Sequence, residues 1–226
     1  MAETALALLS RRQEDVESGD NFNTIPGLRK AERMSFQAAY AFAVAGDKDL
    51  ADNKDDLKFA ARMAQSFATS VLLDRGATEV LSADQIAAIQ FYTQESPFYS
   101  ILNVRLRDRD RVPLIPFLPF IKLLLSGLYT LPRHSVTVFR GVKKNLKEIY
   151  LPNKPKVWWS FSSTTRALQV LESENFVGKK GDRTMFHIHT TAAIDIGPYS
   201  AFPNEQELVR LGCCVWLLEG EKCIFE

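Results

Sequence analysis

The sequence predicts an α+β fold in which the helices come first and the strands follow. Up to Thr130, apolar side chains recur at the spacing of helix faces. From Ser135 onward, short β-branched or alternating segments are separated by turn residues. Segregated runs of this kind favour a helical lobe followed by a mostly antiparallel β core of about six or more short strands.

Length and composition fit one globular domain. The chain has 226 residues, of which 46% are hydrophobic and 24% are charged, and these fractions are typical of a soluble domain. We therefore expect one domain over residues 1–226, with a helical lobe over 1–132 and a β core over 133–226. The oligomeric state is left open.

Charge and segment composition exclude several classes of partner. A formal net charge of +1 argues against nucleic acid, because that binding needs a clustered basic surface. The apolar stretch Val112 to Leu128 contains three prolines and a lysine, so we expect a loop leading into a buried helix and no membrane contact. The N-terminus does not resemble a signal peptide, and the late cysteines fit no zinc spacing. A cytoplasmic protein with free thiols is expected.

Six helices are expected in the first half, each with a local boundary signal. Ser82 and Gln85 form a capping-box pair, Pro97 stands at a first helical position, and Gly76 can end a helix. The expected helices are Thr4–Ser18, Leu28–Ala45, Asp49–Arg75, Ser82–Tyr92, Ser96–Leu106 and Leu114–Tyr129.

The expected strands follow one another closely in the second half, with Gly, Pro, Asn and Asp between them. They are Ser135–Arg140, Val157–Thr165, Thr184–Thr190, Ala193–Ile196, Glu207–Leu218 and Lys222–Phe225. No strand is followed by Gly-x-Gly-x-x-Gly or by a P-loop signature, so neither form of nucleotide binding is supported. His187 and His189 share a strand face, but no third ligand is suitably spaced, and no metal is expected.

Glu205 and Glu207 form the most informative pair in the sequence. In an extended backbone, residues i and i+2 project to the same face, so both carboxylates would point to one place. An isolated pair of this kind is most often a solvated strand edge. Two further polar features change that reading. Arg140 ends a strand and is followed by Gly141, where a ligand can approach the backbone closely, and Phe161–Thr165 places hydroxyls in a strand beside aromatic residues.

At these residues the chain resembles the arginine-specific mono-ADP-ribosyltransferases of the Arg-Ser-Glu clade, which include the vertebrate ecto-enzymes and the binary actin-modifying toxins. That family has an Arg at the end of its first core strand, then Phe-x-Ser-Thr-Ser, then Glu-x-Glu, on split sheets. The matching segments here are Phe139–Gly141, Phe161–Thr165 and Glu205–Glu207, and the resemblance spans residues 80–219. Thr165 stands where the family more often has Ser, and the signal peptide and disulfide cysteines of the ecto-enzymes are missing.

The resemblance implies cleavage of the nicotinamide–ribose bond of NAD and transfer of ADP-ribose to a protein. Glu207 would stabilise the oxocarbenium-like ribose, and Ser163 would orient Glu207. Arg140 would hold the phosphates of NAD, and the Gly141 backbone would meet the nicotinamide amide. The helical segment from Tyr92 to Asn103 resembles the helix that covers NAD.

One pair of residues and one single residue refine this reading. Tyr99 and Asn103 lie one helical turn apart and could line the nucleotide cleft. Glu205 indicates the acceptor: a guanidinium is protonated and poorly nucleophilic, and a carboxylate beside it can bind it and accept its proton. The sequence therefore predicts a protein substrate with an exposed arginine. An NAD glycohydrolase and a catalytically silent NAD-binding module are the alternatives.

Overall fold

A computed structural model describes residues 25–108, 110–150, 156–158, 161–172, 177–178, 180–210 and 214–216. At 156–158, 162, 163, 170, 210 and 214–216 the backbone alone is described. The predicted helix Thr4–Ser18, the predicted strand Lys222–Phe225, and Cys213 and Cys223 lie outside this range.

The first half of the described chain is helical, as predicted. Its α-helices are α1 (Phe36–Gly46), α2 (Lys48–Ala51), α3 (Lys54–Arg75), α4 (Ala83–Thr93), α5 (Pro97–Arg107) and α6 (Leu118–Thr130), and α7 (Leu168–Glu172) follows among the strands. Short 3-10 turns cover Gly76–Thr78, Val112–Phe117, Gly197–Tyr199 and Pro203–Glu205.

Two predicted helix boundaries are wrong because side-chain caps set the ends elsewhere. The helix expected from Leu28 begins at Phe36, since Ser35 accepts the backbone N–H of Ala38 and Asp84 accepts that of Phe36. The helix expected over Asp49–Arg75 is divided into α2 and α3. Asp47 caps α2 by accepting the N–H of Leu50.

Other local signals are confirmed. Ser82 and Gln85 form the reciprocal capping box that starts α4, and Pro97 is the first residue of α5. The prolines of 112–117 restrict that stretch to 3-10 geometry before α6 begins. Residues 112–130 are long and apolar enough to cross a membrane, and more than half of that stretch is buried inside the protein.

The strands form one closed four-stranded sheet and one separate pair. They are β1 (Arg133–Val142), β2 (Lys156–Trp158), β3 (Ser162–Thr165), β4 (Thr184–Asp195), β5 (Glu207–Arg210) and β6 (Cys214–Trp216). The closed sheet has the order β1-β3-β5-β4, every neighbouring pair is antiparallel, and β4 pairs with both β5 and β1. β2 pairs with β6.

The mixed helix-and-sheet fold is therefore confirmed, and the strand count is corrected. Within the described residues the core sheet has four strands rather than six or more. The expected strand Val157–Thr165 is divided into β2 and β3. The segments expected at Thr184–Thr190 and Ala193–Ile196 instead form a single strand, β4, whose pairing with β1 shifts register between His134 and Val136.

Residues on both faces of the sheet are buried, and the face on which a residue lies shows where Glu207 is located. Val209 belongs to the core of the helical lobe, together with Ile194, Phe161 and an aromatic group around Phe91. Leu208 packs on the opposite side with Val138, Phe186 and Ile188. Because successive strand residues alternate between faces, Glu207 shares the face of Val209. It therefore lies between the sheet and the helical lobe.

Candidate functional site

Arg140 and Gly141 lie near the end of β1, opposite Phe186 and Met185 of β4. Both residues are half-buried. A Cβ built on Gly141 would overlap Cγ2 of Val177, so the glycine is required by packing within the protein. The predicted reason, close approach of a ligand to the backbone at Gly141, stays a prediction.

Glu207 begins β5 and is 8% exposed. The hydroxyl of Ser200 donates to its Oε2 at 3.2 Å. Its backbone carbonyl accepts the N–H of Ile196 at 3.2 Å, and Thr165 lies directly opposite in β3. Backbone pairing and a side-chain donor together fix the place of this carboxylate.

Glu205 does not lie in the strand, contrary to the expectation. Pro203–Glu205 form a 3-10 turn, and Gln206 has a left-handed backbone with φ 49° and ψ 47°. The i, i+2 rule for extended chains therefore does not apply to Glu205 and Glu207. The left-handed residue turns the chain sharply, and the two carboxylates interact across this turn.

Burial raises the pKa of Glu205, and the nearby carboxylates of Glu207 and Glu95 raise it further. The side chain is half-buried. Its backbone is held from β3, because the Thr165 hydroxyl donates to the Glu205 carbonyl at 2.8 Å. Thr165 also accepts the N–H of Ala167. This hydroxyl, which Thr165 shares with the Ser more often found in the family, thus supports the turn Pro203–Gln206, called the acidic turn.

An aromatic cluster from α4 and α5 lies against β3. The ring of Tyr92 makes edge contacts with Tyr99 and Phe161, at centroid distances of 5.3 and 5.2 Å. The Asn103 amide donates to the Tyr92 hydroxyl at 3.2 Å and to the Tyr99 carbonyl at 3.0 Å. Asn103 is 4% exposed, and its two hydrogen bonds join it to both tyrosines.

The pKa of Tyr92 is affected by several of the predicted site residues. Burial raises its pKa well above the usual value; Tyr99 and Glu207 raise it further, while the Asn103 hydrogen bond and Arg140 lower it. Coulombic effects between groups weaken with distance. The structure therefore brings Arg140 and Glu207, from different strands, to the same aromatic cluster.

The segment between β4 and β5, residues 197–206, is called the recognition loop below. The hydroxyl of Tyr199 donates to the buried carboxylate of Glu79 at 2.7 Å. Arg75 lies over the Tyr199 ring, 5.1 Å from its centroid. The backbone N–H of Ala201 donates to Thr93 Oγ1 at 2.9 Å. Phe202, by contrast, is 36% exposed.

Among the described residues, no group of three or more His, Cys, Asp or Glu side chains could hold a metal ion. His189 shares a hydrogen bond with Thr137, and the ring of His187 packs edge-on against Phe139. The two histidines therefore have protein partners on the sheet.

The model of the family described as "NAD:arginine ADP-ribosyltransferase" matches residues 21–211. The chain belongs to that family. The match covers the helical lobe, the aromatic cluster, the recognition loop and both glutamates. It confirms the resemblance found in the sequence, and its description contains the donor nucleotide, the transferred group and the acceptor residue that were predicted.

A curated relative in the comparison has low sequence identity to this chain. A Mycobacterium avium (strain 104) protein with the name "Putative NAD(+)--arginine ADP-ribosyltransferase Mav" is 29% identical over 131 residues, which are 57% of this chain. The aligned part is 15% of Mav. The chain therefore aligns with only a small part of that relative.

Two solved structures share the ADP-ribosyltransferase fold. The eukaryotic mono-ADP-ribosyltransferase ART2.2 superposes with a TM-score of 0.63 and 20% identity, over 80% of this chain and 77% of that one. The type III effector XopAI of Xanthomonas axonopodis pv. citri has a TM-score of 0.58 and 17% identity, over 95% and 91%. Mutants of ART2.2 have been solved in complex with NADH and with NAD.

Of the residues around this family site, Tyr92 and Thr93 were named only as part of the segment that resembles the NAD-covering helix, and Glu79 was not singled out. Tyr92, Thr93 and Glu79 reach the site from helices and loops more than 100 positions before the recognition loop. Ser200 was not among the predicted site residues. The backbone of Ser163 pairs with Val209 in the sheet, and its predicted role toward Glu207 stays a prediction.

Proposed function

We propose that this chain transfers ADP-ribose from NAD to an arginine side chain of a protein and releases nicotinamide. Membership of the family supports the reaction class. The observation that carries the proposal is the acidic turn: Glu207 is buried between sheet and lobe, and Glu205, whose pKa is raised, stands beside it.

In the proposed reaction, the bond between ribose C1′ and the nicotinamide nitrogen breaks, and its electron pair goes to that nitrogen. Nicotinamide leaves as a neutral molecule, so no strong general acid is needed. The positive charge that develops on the ribose is stabilised by the Glu207 carboxylate. Ser200 donates to Oε2 of Glu207 and holds this carboxylate in place.

Glu205 is proposed to act on the acceptor. A guanidinium has a pKa above about 12 and must lose a proton as its nitrogen attacks C1′. A carboxylate whose pKa is raised is a better proton acceptor than an ordinary one. The two neighbouring carboxylates that raise the pKa of Glu205, those of Glu207 and Glu95, would also attract a guanidinium, which neutralises their repulsion.

The NAD side of the cleft is proposed to involve four residues. Arg140 binds the phosphates as a fork of donors, with the Gly141 backbone beside it. Tyr99 lines the cleft from α5. We refine the predicted role of Asn103: its amide fixes Tyr92 and Tyr99 from behind, so it positions the cleft wall rather than standing in front of it.

The recognition loop is proposed to meet the protein substrate. Its ring of Phe202 is at the surface, while Tyr199 and Ser200 behind it are buried. An exposed aromatic beside an acidic turn suits a protein segment with an apolar residue near its target arginine. Ser163 is proposed to help orient Glu207 from β3.

The test compares wild type with Glu207→Gln during incubation with NAD, with and without agmatine as a small guanidino acceptor. Mass spectrometry follows nicotinamide release and agmatine modification. We expect wild type to modify agmatine and Glu207→Gln to lose about 10²–10³-fold in kcat for both products. Nicotinamide release without modified agmatine in wild type would instead favour the glycohydrolase, and NAD binding without any release would favour the silent module.

A further inference from the structure

Ser200 belongs to the recognition loop and contacts the carboxylate of Glu207. The residue is 3% exposed. Its hydroxyl donates to Glu207 Oε2 at 3.2 Å and its oxygen accepts the backbone N–H of Phe202 at 3.1 Å. A serine hydroxyl carries a single proton. Since the oxygen accepts from Phe202, that proton is directed to Glu207.

The neighbours of Ser200 are fixed to the helical lobe on both sides. Tyr199 donates to Glu79 before it, and the N–H of Ala201 donates to Thr93 after it. Ser200 is thus held by two contacts to one rigid body while it contacts a residue of the sheet. A donor fixed in this way can define the orientation of a carboxylate, which rotates easily about its last bond.

We propose that Ser200 is a positioning residue that sets the orientation of the Glu207 carboxylate and links it to the recognition loop. This inference rests on the proposed function, in which Glu207 faces the ribose of NAD. The link follows because one atom, the hydroxyl oxygen of Ser200, takes part in both hydrogen bonds. A change in the backbone at Phe202, where a protein substrate would dock, therefore alters a hydrogen-bond partner of the hydroxyl that holds Glu207.

If Ser200 had a purely local role, its hydrogen bond with the Phe202 N–H would stabilise the loop and nothing else. The chain contains a second hydrogen bond of this kind, which serves as a matched control. Thr190 in β4 accepts the N–H of Ala192 at 3.1 Å, which is the same i to i+2 bond that Ser200 makes with Phe202. Thr190 is 6% exposed. It pairs with Val136 of β1, so removing its hydroxyl tests the cost of such a bond without touching Glu207.

The experiment measures NAD hydrolysis and agmatine modification for wild type, Ser200→Ala, Ser200→Thr and Thr190→Val. We expect Ser200→Ala to lower kcat about 10–100-fold, as the loss of an orienting partner does elsewhere, with the KM for NAD within about twofold. Ser200→Thr keeps the hydroxyl and is expected to recover kcat to within about threefold of wild type. Thr190→Val is expected to leave kcat unchanged.

If wild type consumes NAD, three outcomes would overturn the proposal for Ser200 and leave the proposed function standing. They are a Ser200→Ala variant with wild-type kcat, an equal loss in Ser200→Ala and Thr190→Val, and a failure of Ser200→Thr to recover activity although its melting temperature matches that of wild type. A wild type that releases no nicotinamide would overturn the proposed function itself, and the role of Ser200 with it.

Discussion

At the scale of the residue, Glu205 lies in surroundings that disfavour its own charge. Burial raises its pKa, and the carboxylates of Glu207 and Glu95 act in the same direction. A group whose pKa is raised in the folded state stabilises the fold when it is protonated, and this contribution is lost as the pH rises through the folded value. Ionised Glu205, the residue proposed to select arginine, therefore lowers the free energy of unfolding at neutral pH.

This cost predicts that Glu205→Gln is more stable than wild type at pH 7. The neutral amide removes the charge repulsion and keeps the shape, and we expect a melting temperature about 1–3 °C higher. The gain should disappear below the usual pKa range of a carboxyl group, where Glu205 is itself protonated. Differential scanning calorimetry at pH 7 and at acid pH measures both values. Glu148→Gln, at an exposed position, is the control, and an equal gain there would contradict the explanation.

Gly141 leads to a second prediction at this scale. A Cβ at Gly141 would overlap Cγ2 of Val177, and Val177 is 4% exposed, so the neighbour has little room to move. We expect Gly141→Ala to destabilise the fold by about 1–3 kcal/mol. Urea denaturation measures this loss.

The double variant Gly141→Ala, Val177→Ala supplies the control for that experiment. Removing the Val177 methyl groups makes room for the new Cβ, so the double variant should be more stable than the sum of the two single losses predicts. Simple additivity would show that the overlap is not the reason for the glycine.

At the scale of the element, the recognition loop is fixed at one end and exposed at the other. Tyr199 is 5% exposed, and the Glu79 carboxylate that it contacts also accepts the backbone N–H groups of Val80 and Leu81 and a bond from Arg75. Burial acts to raise the pKa of Glu79, but these hydrogen bonds outweigh it and the pKa is lowered. The loop thus depends on an ionised carboxylate of the helical lobe.

We expect Tyr199→Phe to destabilise the protein by about 1–3 kcal/mol at pH 7, because a hydrogen bond to a charged group is lost. A lowered folded pKa contributes stability above the unfolded value, and this contribution is lost as the pH falls through the folded one. The difference between wild type and variant should therefore shrink below the ordinary carboxyl range. Urea denaturation at pH 7 and at acid pH tests this, and a difference independent of pH would exclude Glu79 as the partner.

Local signals predicted the elements where the deciding contacts are themselves local. The capping box of Ser82 and Gln85 and the proline at the start of α5 involve neighbours within one turn, so the sequence shows them directly. The start of α1 was missed because one of its two caps is Asp84, 48 positions away. The strand face proposed for Glu205 was wrong because Gln206, which is not a glycine, adopts a left-handed backbone.

At the scale of the whole molecule, the site exists because the helical lobe and the sheet share a core. Phe161, Ile194 and Val209 of the sheet belong to the same buried cluster as the aromatic residues of α4 and α5. This contact places Tyr92 against Phe161 and within electrostatic reach of Arg140 and Glu207. Residue types and their order indicated Arg140, Glu205 and Glu207, but no spacing rule could indicate Tyr92 or Ser200, whose roles arise from contacts between distant segments.

The division of work between two carboxylates is the central claim, and Glu205→Gln tests it most directly. Nicotinamide release and agmatine modification are measured together for wild type and this variant, at saturating NAD. We expect agmatine modification to fall by about 10²–10³-fold, while nicotinamide release without acceptor stays within a few-fold of wild type. An equal loss of both products would contradict the assignment of Glu205 to the acceptor and Glu207 to the ribose.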